Sequence, residues 1–213
     1  MKSILILVLM VHLFAGSYGV VSIPESHPDV YDTKPQARLI YNADGFEKQE
    51  MKGYIFLGDS RTVGLNNICS IDEGDNIWVV AKVGQGYNWL VDNAEDEIDA
   101  IVNSNLDIKD WVLVSNLGVN DLDNEKKYEE WYSGVLEDFD LKIMSVNPTD
   151  GDYEYMYDDI ISFNDKIQDF CTKNDVDYIN TYDAFSFGTV DGLHYNASTY
   201  VRIHDYIFKE IGL

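Results

Sequence analysis

From Lys52 onward, short apolar runs alternate with longer stretches whose apolar positions recur at helical spacing. Runs at 54–57, 77–81, 111–116, 141–146 and 178–180 are short and apolar, which predicts buried strands. Stretches at 61–68, 89–102, 125–139, 158–173 and 197–211 predict helices; in the second, Leu90, Ala94, Ile98 and Ile101 fall on one face. Strand and helix in strict alternation, with strands apolar on both faces, predict a parallel sheet covered on both sides. The expected fold class is therefore α/β: a three-layer α/β/α sandwich around a central parallel sheet. No internal repeat or low-complexity tract interrupts the pattern.

The first fifty residues follow a different pattern. Lys2 precedes an apolar stretch from Ile4 to Phe14, and Ser17-Tyr18-Gly19 is a small-x-small triplet. This is the layout of an export signal over 1–19. The apolar run is too short for a comfortable membrane span, so no stable membrane insertion is expected and the mature protein should be extracytoplasmic. Residues 20–50 carry Pro24, Pro28 and Pro35 without periodicity, as an extended leader would. The remaining 51–213, about 160 residues, suffice for one domain with its own core.

Charge narrows the partners. With 15 Lys and Arg against 38 Asp and Glu, the formal net charge is −23. Nucleic acid and anionic membrane surfaces would be repelled. The two cysteines, Cys69 and Cys171, fit either one disulfide of an exported protein or two small buried hydrophobes.

The candidate chemistry gathers where ligands bind in parallel α/β sheets, beyond the carboxyl ends of the strands. Ser60, in Leu57-Gly58-Asp59-Ser60, follows the first strand. Gly84 and Gly86 follow the second, and Asn120 the third. Asp191 and His194 precede the last helix. A serine that attacks a carbonyl needs a base to take its proton and an acid to orient that base. Of the four histidines, His12 lies in the signal, His27 in the leader and His204 on the last helix. His194 is left as the base, with Asp191 three residues away to accept its Nδ1 proton. The developing oxyanion also needs donors, each worth roughly 3–4 kcal/mol. The Ser60 N–H at a helix start, a glycine N–H from Gly84 or Gly86, and the Asn120 amide can supply them.

These blocks resemble, in order, those of the SGNH (GDSL-type) serine hydrolases: Gly58-Asp59-Ser60, Gly84-Gln85-Gly86, Gly118-Val119-Asn120-Asp121 and Asp191-Gly192-Leu193-His194. The resemblance spans about residues 54–213 and implies a flavodoxin-like sheet, a Ser60 nucleophile, a His194 base, an Asp191 acid, and no metal or cofactor. It implies an oxyanion hole of Ser60, Asn120 and a glycine. The second block reads Ala81-Lys82-Val83 where the family often has an Asn-x-Gly lead-in, so Gly84 and Gly86 both stay in play, with Gly86 preferred. The implied activities are esterase, lipase, thioesterase or carbohydrate O-acetylesterase.

Around the blocks, Arg61 and Tyr195 are candidates for substrate binding, the first through an anionic or hydroxylated group, the second by stacking on a sugar. Asn196-Ala197-Ser198 is a formal glycosylation sequon, but Asn196 is better placed to cap the last helix. The expected protein is an exported serine esterase acting on a small-molecule or carbohydrate ester, most simply an O-acetyl group. An acyltransferase using the same acyl-enzyme and a non-catalytic carbohydrate binder of the same fold are the rival expectations. The oligomeric state stays open.

Overall fold

The computed structural model describes residues 51–213. The expected export signal at 1–19 and leader at 20–50 lie outside the described residues. Five parallel strands form one sheet in the order β2-β1-β3-β4-β5: β1 (Lys52–Gly58), β2 (Ile77–Ala81), β3 (Asp110–Asn116), β4 (Asp140–Met144) and β5 (Asp177–Ile179). This 2-1-3-4-5 order is the flavodoxin-like form of the doubly wound sheet. The helices are α1 (Ser60–Cys69), α2 (Tyr87–Trp89), α3 (Glu95–Ser104), α4 (Glu125–Val135), α5 (Tyr157–Asn174) and α6 (Ala197–Ile211).

The strands are apolar along both faces because both faces are covered. On one side Ile55, Leu57, Leu113 and Ile143 pack against Leu90, Ile98, Tyr128, Ile160 and Ile167 from the α2 to α5 segments. On the other, Phe56, Val112, Val114 and Met144 meet Leu65 of α1 with Tyr200, Ile203 and Ile207 of α6. Alternation along each strand divides the side chains between the layers. Ile55, Leu57, Leu90, Leu113 and Ile207 are wholly buried, each worth about 1.5–3 kcal/mol.

Register is what places the site. Gly58, the last residue of β1, pairs with Ala81 at the end of β2 and with Asn116 at the end of β3. Three strands end level, so the loops that follow them emerge side by side.

Two helices depart from their expected bounds. The segment predicted at 89–102 begins at Tyr87 and contains a π-helical turn, Leu90–Ala94, before α3. Such turns widen the backbone ladder and often adjoin functional loops. The helix predicted at 125–139 stops at Val135, because the N–H groups of Asp138 and Phe139 both close onto the Val135 carbonyl. Cys69 and Cys171 are both free. They pack in the two different clusters, so the sheet separates them and the disulfide alternative is corrected. Burial pushes the Cys171 thiol up to about 12. Among the described residues, no helix is long and apolar enough to cross a membrane.

Candidate active site

The site starts at the turn out of β1. Asp59 caps α1: its side chain accepts from the Arg61 N–H at 2.9 Å, the usual way an N-cap satisfies a first-turn donor. Ser60 is the first residue of the helix, so its own N–H has no partner within the helix and lies at the positive end of the helix dipole.

His194 and Asp191 arrive from a loop between β5 and α6. Asp191 Oδ1 accepts the N–H groups of Leu193 (3.0 Å) and His194 (2.7 Å), and Oδ2 lies 2.7 Å from His194 Nδ1. These bonds to His194 hold the Asp191 carboxyl down at about 2. An ionised acid can only accept, so the Nδ1 proton belongs to the histidine and Nε2 presents its lone pair. That lone pair faces Ser60 Oγ at 3.0 Å. Serine, histidine and aspartate thus form one hydrogen-bonded chain, although Ser60 and His194 are 134 positions apart.

The two remaining blocks meet beside it. The Asn120 Nδ2 amide donates to the Gln85 carbonyl at 2.7 Å, joining the loop after β3 to the loop after β2. Asp121 completes the join. Its carboxylate accepts the Tyr87 N–H (2.7 Å), the Tyr128 hydroxyl (2.8 Å) and the Asn124 amide (3.1 Å). A Cβ on Gly86 would collide with that carboxylate, whereas one on Gly84, at φ +71°, would meet open space.

Solved structures match this arrangement of elements over 76% of the chain. One is an acetyl xylan esterase, AlAXEase, with 19% identity, a TM-score of 0.57 and 100% of its length covered. A lipolytic G-D-S-L family protein from Veillonella parvula has 16% identity, a TM-score of 0.57 and 98% covered. The C-terminal catalytic domain of peptidoglycan O-acetyltransferase A from Streptococcus pneumoniae has 14% identity, a TM-score of 0.55 and 95% covered. The chain has the SGNH hydrolase fold. No family model and no curated protein sequence matches it.

Within that SGNH fold, two residues expected at the substrate turn inward. Arg61 is buried, with 2% of its surface exposed. Its guanidinium donates to the carbonyls of Leu193 (3.1 Å), Asn147 (2.9 Å) and Pro148 (3.3 Å). Tyr195 is buried as well, beneath the guanidinium at 4.7 Å from ring centroid to Cζ. Neither side chain faces solvent. The substrate-binding expectation for both is corrected by burial: the Arg61 donors are occupied by backbone, and the Tyr195 ring by the Arg61 cation. Trp89 packs in the core, His204 stacks on Phe208, and Asn196 caps α6 by accepting the Thr199 N–H at 3.0 Å.

Two carboxylates escaped the sequence reading as parts of the site. Asp121 was legible only as the residue after Asn120. Asp59 is buried beside Ser60, and burial raises its carboxyl to about 6 against the pull of Arg61. Among the described residues, no three His, Cys, Asp or Glu side chains gather as metal ligands.

Proposed function

We propose that the protein is an exported serine esterase that deacylates a carbohydrate or similar hydroxylated ester, with acetate as the leading acyl group. The observation that carries the reading is the continuous Ser60–His194–Asp191 chain, with contacts of 3.0 and 2.7 Å. Ser60 Oγ attacks the ester carbonyl carbon while its proton passes to His194 Nε2. Asp191 stabilises the imidazolium without accepting the proton. The tetrahedral oxyanion is met by the Ser60 N–H, the Gly86 N–H and the Asn120 amide, which has a second N–H beyond the one given to Gln85. Collapse breaks the ester C–O bond, and the alcohol leaves with the proton from His194. Water then adds to the acyl-enzyme by the same path in reverse roles, releasing the acid and regenerating Ser60.

Gly86 is preferred over Gly84 because it packs directly on the Asp121 carboxylate that organises the Asn120 loop. A cleft of about 480 Å³ opens beside Asn120, lined mainly by polar side chains such as Asp121, Asp159 and Lys166, with Val119, Leu122 and Met156 among them. Such a polar wall suits a hydroxylated leaving group better than a long acyl chain. The acetyl xylan esterase of the same fold supports that choice. Export rests on the 1–19 signal pattern.

Ser60→Ala should reduce turnover of p-nitrophenyl acetate by about 10⁴-fold or more with circular dichroism unchanged. A fluorophosphonate should label the parent protein at Ser60, as located by mass spectrometry. Undiminished turnover in Ser60→Ala would overturn the assignment, and absence of labelling in folded protein would favour a binding module. Transfer to a sugar hydroxyl in place of water is the second reading, favoured by the O-acetyltransferase domain among the structural neighbours. Acylated sugar as the main product, with an acceptor present, would select it.

A further inference from the structure

We infer that Arg61 is the positioning residue of the base: it sets His194 in register with the nucleophile. The inference rests on the reading of Ser60 as nucleophile and His194 as base.

The base loop is rigid within itself. Thr189 and Tyr195 form an antiparallel bridge, the Val190 N–H donates to the His194 carbonyl at 2.8 Å, and Asp191 bonds both the backbone and the ring of His194. These contacts are all local. They hold acid to base, but they say nothing about where the pair sits relative to Ser60, 134 positions away.

Arg61 provides that reference. It immediately follows the nucleophile, and it grips both neighbours of the base. Its Nε donates to the carbonyl of Leu193, the residue before His194. Its guanidinium lies over the ring of Tyr195, the residue after. The other end of the fork is braced on the Asn147 and Pro148 carbonyls of the loop after β4. That loop is itself tied to the base loop: the Asp150 N–H donates to the Gly192 carbonyl at 2.8 Å, and the Thr189 hydroxyl to Asp150 Oδ1 at 2.7 Å. Gly192 has φ +88°, and a Cβ there would run into the Asp150 carbonyl, so the two loops meet backbone to backbone.

Burying a guanidinium is costly unless its donors are satisfied. Among the described residues, no carboxylate forms a salt bridge with Arg61; its acceptors are carbonyls of the loops that must be aligned. A planar fork can engage several acceptors in fixed directions, and an ammonium on a flexible stem cannot.

The test compares Arg61→Lys with Tyr195→Leu, which removes the ring beneath the cation. Each is assayed for kcat and KM on p-nitrophenyl acetate, for the rate of fluorophosphonate labelling at Ser60, and for melting temperature. Small misplacements of reacting groups can lower rates by about 10²-fold. Arg61→Lys is therefore expected to lose about 30–100-fold in kcat and in labelling rate, with KM within about 3-fold. Tyr195→Leu should lose about 3–10-fold in the same two quantities. Wild-type kcat and labelling in folded Arg61→Lys would overturn the inference, and so would a loss confined to KM, which would return Arg61 to the substrate. If Arg61→Lys does not fold, Tyr195→Leu decides: unchanged kcat in that variant overturns the inference. Ser60→Ala run in parallel separates the two claims. Undiminished turnover there sinks the esterase reading, whereas a strongly impaired Ser60→Ala beside a fully active Arg61→Lys sinks only the role of Arg61.

Discussion

The two sides of Ser60 are built in opposite senses. On the base side one buried cation, Arg61, collects carbonyl oxygens from two loops. On the other side one carboxylate, Asp121, collects an N–H, a hydroxyl and an amide from the start of α2, from α4 and from the turn before α4. On the base side the brace itself is buried, while the His194 and Asp191 side chains it positions keep 35% and 50% of their surface exposed. On the side of the proposed oxyanion donors, Gly84 and Asn120 are exposed. A proton relay needs a fixed distance between two side chains, which a buried brace behind the loop can set. An oxyanion site must admit a substrate, so its donors are organised from behind and left open in front.

Lesions on the two sides should therefore read out differently, and the largest effect is expected at Gly86. In Gly86→Ala the new methyl meets the Asp121 carboxylate, moving the proposed donor. About 10²–10³-fold should be lost in kcat, with the pH profile unchanged in shape because the Ser60–His194 pair is untouched. A shifted profile would mean that the two sides are not independent. Asp121→Ala comes next. It leaves the Tyr87 N–H and the Tyr128 hydroxyl without their acceptor, costing roughly 1–3 kcal/mol of stability and about 10–30-fold in kcat through a loosened loop. Thermal denaturation and steady-state kinetics check the two numbers; an unaltered kcat would reduce Asp121 to a fold residue.

The last effect is one of stability alone and lies between the two sides. Asp59 has its carboxyl raised to about 6 by burial, from an ordinary value of 3.8. A group raised in the folded state binds its proton more tightly there than when unfolded. Its contribution is fully present below 3.8 and is lost as pH rises through 6. The wild type should lose up to roughly 3 kcal/mol from this group between pH 4 and 7. Asp59→Asn, which retains a capping side chain, should lack that component. Denaturant unfolding of both proteins across that range gives the difference, and parallel pH curves would refute the assignment.

The sheet and the two halves of the candidate site, the Ser60 motif and the Asp191–His194 loop, were legible in the sequence because each is written locally. Apolar runs mark the strands wherever both faces are covered, and Asp191 and His194 lie within one loop. The bounds of α4 depended on how the Val135 carbonyl is shared, which no residue pattern reveals. Arg61 was misread for a related reason. An arginine beside a nucleophile suggests a substrate contact or an ion pair, yet its acceptors are backbone carbonyls 86, 87 and 132 positions away. Backbone oxygens are the same at every residue and leave no mark in the sequence. Tyr195 followed Arg61 inward. Asp121 was visible as a motif residue, but its partners, Tyr87 and Tyr128, come together only through the fold.

The loop that carries Asp191 and His194 belongs to no helix or strand of the sheet, yet six of its nine amides from Gly188 to Asn196 are engaged. Those of Gly188, Val190, Gly192, Leu193, His194 and Asn196 each donate within the domain. Deuterium should therefore enter this segment about as slowly as it enters a strand, since exchange requires these bonds to open. Proteases, which need an extended and detachable backbone, should cut elsewhere first. A segment outside the helices and strands would then exchange and resist cleavage as regular structure does.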